Sequence, residues 1–142
     1  MPYNYLKRIL DARIYDLAVE TPLDEVPLIS DRLNNKVLLK REDLQPVFSF
    51  KVRGAYNKLL KLSDEQKAKG VIAASAGNHA QGLALAAMHM GIDATIVMPR
   101  TTPSIKVDAV RRRGAKVVLE GDAYDDASKL AKAMVERDGM AY

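Results

Sequence analysis

The stretch VIAASAGNHAQG, residues 71–82, combines an apolar run, a short loop and the start of a helix. Val71–Ala74 is apolar throughout, which suits a strand covered on both faces, and Ser75–Gly77 supplies small loop residues. A helical apolar pattern follows from about His79. The backbone N–H groups at such a helix start can bind an anion, so this stretch predicts a βα unit with a binding loop.

The same rhythm continues toward the end of the chain. Apolar runs at Ala94–Met98 and Lys116–Leu119 each follow a glycine. Helical patterns are predicted at 79–90, after an N-cap at Thr102 with Pro103 as first helical residue, and from about Ala123 to Gly139. This alternation predicts an α/β fold of right-handed βαβ units around a parallel sheet. Residues 139–142 lie where a further strand would begin.

The sequence before residue 71 predicts a less regular arrangement. Lys51–Leu62 has clean helical spacing of apolar residues, and Lys36–Arg41 is predicted as a strand. The first twenty residues are predicted to be helical. Their expected common apolar face comprises Leu6, Ile9, Leu10, Ile14, Leu17 and Ala18.

Composition excludes several classes of function. The 142 residues carry a net charge of +4, and the densest basic cluster, Arg111–Arg113, suits a solvated helix end better than a nucleic-acid surface. The chain has no cysteine and two histidines, which makes a metal site improbable. No apolar run approaches the length of a membrane helix, and we expect a cytoplasmic location.

The stretch QPVFSFKVRGAYN, residues 45–57, places a lysine at the start of a predicted helix. Ser49 is a plausible N-cap, so Lys51 would lie in the first turn, where the helix dipole disfavours a cation. Apolar Phe50 also disfavours charge, and a neutral, desolvated lysine is what Schiff-base chemistry requires. The alternative is a surface lysine, with Phe48 and Phe50 in the core.

Asn78 also allows two interpretations. It can belong to an anion-binding loop, or it can form a capping pair with Gln81 and do nothing more. His79 lacks an acidic residue at relay spacing, and a structural role is expected for it.

Two motifs carry a family resemblance. Lys40–Asn57 resembles the cofactor-lysine segment of the pyridoxal-phosphate-dependent threonine dehydratases, which have fold type II, and Ser75–Gly82 resembles their asparagine loop. The resemblance covers the chain from about residue 20. The S-F-K-x-R-G-A core is shared with serine dehydratases and serine racemases, whereas the Q-P-V-F-S-F-K form resembles the biosynthetic, isoleucine-pathway threonine dehydratase.

The resemblance implies roles for individual residues. Lys51 would bind pyridoxal 5'-phosphate covalently and act as the catalytic base. Phe50 would pack beside the cofactor, and Asn78 would hydrogen-bond its ring oxygen. Ser75, Gly77 and the N–H groups around Asn78 would hold the substrate carboxylate. Phe48 is expected to pack, and Arg53 is expected to be structural.

The resemblance also implies a domain arrangement. Residues 46–142 would form the small cofactor-contacting domain, and residues 1–45 an arm that packs on a larger domain. The family's glycine-rich phosphate loop has no counterpart among the 8 glycines. We therefore expect a partial chain that binds cofactor weakly, and either a homo-oligomer or a chain lacking its C-terminal domain.

The activity implied is the deamination of L-threonine to 2-oxobutanoate and ammonia. Serine dehydratase or serine racemase is the alternative within the same fold. An alternative of another class is a catalytically silent α/β association module.

Overall fold

The computed structural model describes residues 4–142. Its N-terminal segment contains short elements: α1 (Tyr5–Leu10), β1 (Leu23–Glu25), α2 (Pro27–Leu33) and β2 (Leu38–Lys40). Strands β1 and β2 pair antiparallel, with Leu23 opposite Lys40. The predicted strand at 36–41 is therefore confirmed as β2, but its partner β1 was not predicted. Single turns of 3₁₀ helix lie at Ile14–Asp16 and Glu42–Leu44.

The rest of the chain alternates helices with parallel strands. These elements are α3 (Lys51–Leu60), α4 (Asp64–Ala68), β3 (Val71–Ala74), α5 (Asn78–Met90), β4 (Ala94–Met98), α6 (Ser104–Arg111), β5 (Lys116–Leu119) and α7 (Tyr124–Asp138). The strand order is β3-β4-β5, and both pairings are parallel. The three predicted strands are confirmed at their predicted positions.

Helices cover both faces of this sheet. Val71 and Ala73 point to the face covered by α3, α5 and α6, whereas Ile72 and Ala74 point to α7. Strand residues alternate between faces, and both faces are apolar here because both are covered. The α/β fold class with parallel βαβ units is confirmed.

The order of connections reverses at β3. Strand β4 lies on one side of β3, while after α7 the chain returns to the other side, where Ala141 forms a parallel bridge with Val71. The N–H of Ala141 donates to Gly70 and its carbonyl accepts from Ile72. In open α/β sheets, ligands bind beyond the carboxyl ends of the strands at such a reversal. The Ser75–Gly77 loop lies at that end of β3.

The N-terminal segment departs from its prediction. Helix α1 ends at Leu10, and Leu6, Ile9 and Leu10 are exposed. Ala18 instead is buried with Val47 and Val52, so the six apolar residues do not share one helical face. Met1–Tyr3 lie outside the described residues. In residues 4–142 no helix has the length and apolar character needed to cross a bilayer.

The start of α6 also differs from prediction. Pro103 occupies the N-cap position and the helix begins at Ser104. The Thr102 hydroxyl is buried and has no hydrogen-bond partner among residues 4–142. Proline needs only its fixed φ, and here ψ is 137°, which keeps Pro103 just outside the helix.

Candidate active site

Lys51 is the first residue of α3. Phe50 rather than Ser49 occupies the N-cap position, so the predicted cap is displaced by one residue. The Ser49 hydroxyl nevertheless accepts a hydrogen bond of 3.3 Å from the Lys51 N–H. Ser49 is buried, and this hydrogen bond fixes the backbone at Lys51.

The Lys51 side chain is exposed, and its Nζ lies 4.9 Å from the centroid of the Phe50 ring. The Phe50 ring is itself 56% exposed and Phe48 is 76% exposed. The expected packing of Phe48 is therefore wrong, and so is the alternative that places both rings in the core. In the described part of the chain no element covers this face, so the amine is not shielded from water as the sequence suggested.

Phe48 has an unusual backbone conformation. Its φ is +55°, in the left-handed region that residues other than glycine and asparagine rarely adopt. A tight turn enforces it: the Phe48 N–H donates to the Gln45 carbonyl at 2.7 Å. Val47 and Ser49 are buried on either side, which anchors the turn and turns the Phe48 ring outward.

The asparagine loop leads into α5 without a side-chain cap. Gly77 is at the N-cap position and Asn78 is the first helical residue, so the capping pair of Asn78 with Gln81 is not formed. The Asn78 amide makes no hydrogen bond within residues 4–142 and is exposed. The Ser75 hydroxyl accepts from the Gly77 N–H at 3.3 Å. The first-turn N–H groups of this 13-residue helix therefore remain available to an anion.

Helices α3 and α5 bring the two motifs together. A Cβ placed on Gly82 would lie 3.1 Å from both the Lys51 carbonyl carbon and the Val52 nitrogen. Asn78 precedes Gly82 by four residues and so shares its helix face. This side of α5 therefore packs against the start of α3, the helix that begins with Lys51. Gly82 lies at the end of the Ser75–Gly82 motif, and the sequence alone predicted no role for it.

The pKa of His79 is affected by the charge of Lys51. Burial lowers the pKa of His79, and the nearby positive charge of Lys51 lowers it further. Both effects favour the neutral imidazole over a second cation near Lys51. His79 was expected to be structural, and its position next to Lys51 is a feature that sequence spacing did not reveal.

A cavity of about 360 Å³ runs along the open edge of β3. Its lining includes Gly54, Lys58, His79 and Tyr124, together with Ala141. None of the five predicted site residues lines it. The cavity follows the uncovered strand edge, whereas those residues lie at the carboxyl end of the sheet, so we assign the site by the α3–α5 contact rather than by this cavity.

Comparison with known proteins identifies the family of this chain. The model of the family described as "Pyridoxal-phosphate dependent enzyme" matches residues 14–142. The chain belongs to this family. Its membership agrees with the resemblance drawn from the Lys51 and Asn78 motifs.

Relatives within the pyridoxal-phosphate-dependent family carry threonine dehydratase names. The chain is 59% identical to "Threonine dehydratase 1 biosynthetic, chloroplastic" of Solanum lycopersicum, covering 99% of this chain and 23% of that protein. It is 56% identical to the biosynthetic L-threonine dehydratase of Pasteurella multocida, covering 98% of this chain and 27% of that protein. The chain thus spans about a quarter of the length of these relatives.

Solved structures of the same family agree in fold. The processed form of threonine deaminase isoform 2 from Solanum lycopersicum matches with a TM-score of 0.94 and 54% identity, covering 97% of this chain and 38% of that one. Maize serine racemase matches with a TM-score of 0.88 and 36% identity, covering 94% and 41%. The α3–α5 arrangement described above therefore belongs to a fold that these enzymes share.

Proposed function

We propose that this chain is the lysine-bearing portion of a threonine dehydratase, which converts L-threonine to 2-oxobutanoate and ammonia with pyridoxal 5'-phosphate. The observation that carries the proposal is the close contact of Gly82 with the Lys51 backbone, which sets the lysine beside the asparagine loop. The identities of 59% and 56% to threonine dehydratases support this substrate.

The residues fit the organic part of the cofactor. Lys51 offers an accessible amine beside the face of Phe50, which suits a lysine that must reach a planar ring. The Asn78 amide has no partner within residues 4–142 and can donate to a ring oxygen. Two roles are therefore assigned: Lys51 as the covalent attachment point and Phe50 and Asn78 as cofactor contacts.

The described residues fit the cofactor phosphate less well. A phosphate is normally held by several charge-assisted hydrogen bonds from a glycine-rich loop. The described chain has no such cluster, and the first-turn amides of α5 are assigned to the substrate. We therefore propose that this portion holds cofactor weakly and that the longer relatives hold the phosphate with residues outside the matched quarter.

The substrate carboxylate would bind at the start of α5. The first-turn N–H groups are uncapped, and the loop of Ser75 and Gly77 lies beside them at the carboxyl end of β3. Anion binding here is favoured by both the free N–H groups and the helix dipole. A fixed carboxylate would orient the Cα–H bond of the substrate toward Lys51.

Proton removal from that bond is assigned to Lys51. Bound pyridoxal phosphate supplies an electron sink for the charge left on the α-carbon. The Lys51 amine would take the α-proton at Nζ, and the β-hydroxyl would take up a proton and leave as water. His79 is held neutral nearby and so would not compete with the ammonium form for a counter-ion.

Two other functions have specific support. The match to maize serine racemase, at 36% identity, favours serine as an alternative substrate. A catalytically silent association module is favoured by the exposed apolar side chains of the N-terminal segment, such as Leu6, Ile9 and Leu28. We assign this segment, residues 1–45, to packing against a larger domain or a second copy, and residues 46–142 to the cofactor-contacting domain.

The cytoplasmic location stays a prediction. Relatives differ in this respect, since the name of the tomato protein includes "chloroplastic" and that of the Saccharomyces cerevisiae relative includes "mitochondrial".

A chimaera tests the proposed activity. This chain would replace the matching quarter of the Pasteurella multocida enzyme, and 2-oxobutanoate formation from L-threonine would be measured beside pyruvate formation from L-serine. We expect a higher kcat/KM for threonine, and no product with Lys51→Ala. A folded, cofactor-loaded chimaera that consumes neither substrate would contradict the proposal.

Sedimentation of the chain alone tests the association-module alternative, which predicts a stable dimer without cofactor.

A further inference from the structure

Glu42 and Arg53 form an ion pair shielded from solvent. Arg53 donates from Nε and Nη2 to the two carboxylate oxygens of Glu42, each at 2.8 Å. The two side chains are only 19% and 17% exposed. A two-point contact of this kind fixes the orientation of both planar groups as well as their distance.

Buried polar side chains complete the coordination of this carboxylate. The Thr21 hydroxyl donates to Glu42 at 2.6 Å and the Gln45 amide at 3.2 Å. Thr21 is 3% exposed and Gln45 1% exposed. The Arg53 guanidinium and then Thr21 lower the pKa of Glu42 to about 2, against the opposing effect of burial. Four hydrogen bonds therefore keep Glu42 ionised and fixed.

The same hydrogen-bond network links the N-terminal segment to the Glu42–Arg53 ion pair. The Gln45 side chain accepts from the Val19 N–H at 2.9 Å and donates to the Val19 carbonyl at 2.8 Å. Arg53 Nη2 also donates to the Val19 carbonyl, at 3.1 Å. Its guanidinium lies 5.3 Å from the centroid of the Tyr15 ring. The backbone at Val19 thus holds both ends of the Glu42–Arg53 segment.

The ion pair closes a loop that carries Lys51. Between Glu42 and Arg53 lie the strained turn at Phe48, the hydrogen bond of Ser49 to the Lys51 N–H, and Lys51 itself. Arg53 follows Lys51 by two residues, which places it about 200° around the helix axis from Lys51. When Arg53 is held on one side of the first turn of α3, the direction in which the Lys51 side chain extends from the opposite side is fixed as well.

We propose that the Glu42–Arg53 pair, held by Thr21 and Gln45, is a positioning device that aims the Lys51 amine at the cofactor site. The proposal rests on the function proposed above for Lys51. It gives the N-terminal segment a second role, because Val19 and Thr21 anchor the pair from outside the α/β core. None of these side chains is assigned contact with cofactor or substrate.

Ligand-free hydrogen exchange and lysine reactivity test the proposal on the chain itself. Exchange would be measured for the backbone amides of residues 47–53. Pyridoxal phosphate would then be fixed to lysine amines by borohydride reduction, and the yield at Lys51 would be divided by that at exposed Lys61, which follows the last residue of α3. The variants are Glu42→Gln and Thr21→Val, at temperatures where each is shown to be folded. Asp43→Asn is the matched control, because it breaks only an exposed pair with Arg41 in the same turn.

If the ion pair positions Lys51, variants that weaken it should change amide exchange and lysine labelling while remaining folded. In Glu42→Gln we expect the amides of residues 47–53 to exchange about tenfold faster, with β4 unchanged, and the Lys51:Lys61 ratio to fall roughly threefold to tenfold. Thr21→Val should show a smaller change in the same direction, and it keeps the test decisive if Glu42→Gln does not fold. Asp43→Asn should match the parent chain.

Two outcomes separate this inference from the proposed function. If the parent chain labels Lys51 no better than Lys61, the function proposed for Lys51 fails. If the parent labels Lys51 selectively and the folded variants keep the same ratio and the same exchange rates, the ion pair serves stability alone and the positioning role is overturned. Restoration of the ratio by Glu42→Asp, relative to Glu42→Gln, would support a requirement for the carboxylate.

Discussion

The Cα of Gly82 lies so close to the start of α3 that an added Cβ would be 3.1 Å from the Lys51 carbonyl carbon. Backbone atoms cannot rotate away as a side chain can. This contact determines how near the asparagine loop comes to Lys51, and any side chain at Gly82 must separate α3 from α5 by a few tenths of an ångström.

Gly82→Ala is therefore expected to weaken both the fold and the site. We expect a loss of about 1–3 kcal/mol in the free energy of unfolding, measured by urea denaturation, since overpacking costs that much. Gly54→Ala is the control: it is also helical, but an added Cβ there meets nothing within 4 Å, so it should be neutral or stabilising. Equal effects of the two substitutions would contradict the close-contact account.

Phe48 should be replaceable with a gain in stability. Its φ of +55° is unfavourable for phenylalanine, and its ring is 76% exposed, so little packing is lost on substitution. We expect Phe48→Asn to raise the free energy of unfolding by about 0.5–1 kcal/mol, because asparagine tolerates the left-handed region. Phe50→Asn, at a φ of −61°, should give no gain. A loss at position 48 would show that the ring makes stabilising contacts.

Glu42 should make the chain sensitive to strong acid. Its folded pKa of about 2 lies below the ordinary value of 4.5, so the folded state favours the ionised form. The resulting stability is present above about pH 4.5 and is lost as the pH falls toward 2. Between pH 5 and pH 2, the Tm of thermal unfolding should therefore fall more steeply for the parent chain than for Glu42→Gln. Parallel curves would argue against the lowered pKa.

His79 should respond to the charge of Lys51. Since that charge helps to lower its pKa, Lys51→Ala is expected to raise the pKa of His79, measured by NMR titration of the imidazole signals. Lys61→Ala should leave it unchanged. The lowered pKa also means that the stability tied to neutral His79 falls as the pH drops below 6.5, the ordinary value. An unshifted His79 would indicate that Lys51 points away from α5.

The regular part of the fold could be predicted from local sequence. Val71–Ala74 and its two counterparts are uniformly apolar because both faces of the sheet are covered, and Gly139 ends α7 at a φ of +70° as its position predicted. These features depend on residues near in sequence, so the pattern contains the information.

The features that were missed depend on residues distant in sequence. The loop enclosing Lys51 is held by Thr21 and Val19, some thirty residues earlier, and no periodicity links them. Phe48 was expected to pack, yet its ring is 76% exposed, and the described part of the chain has nothing to cover it. Capping at Asn78 failed because the helix begins one residue earlier than the motif suggested.

The central claim is that Lys51, set beside the asparagine loop, is the lysine that binds pyridoxal phosphate. The most direct measurement is reduction with borohydride in the presence of pyridoxal phosphate, followed by peptide mass spectrometry to locate the labelled lysine. The account predicts preferential labelling of Lys51, and a lower yield there in Asn78→Ala. Labelling spread over the exposed lysines, with no preference for Lys51 and no effect of Asn78→Ala, would contradict it.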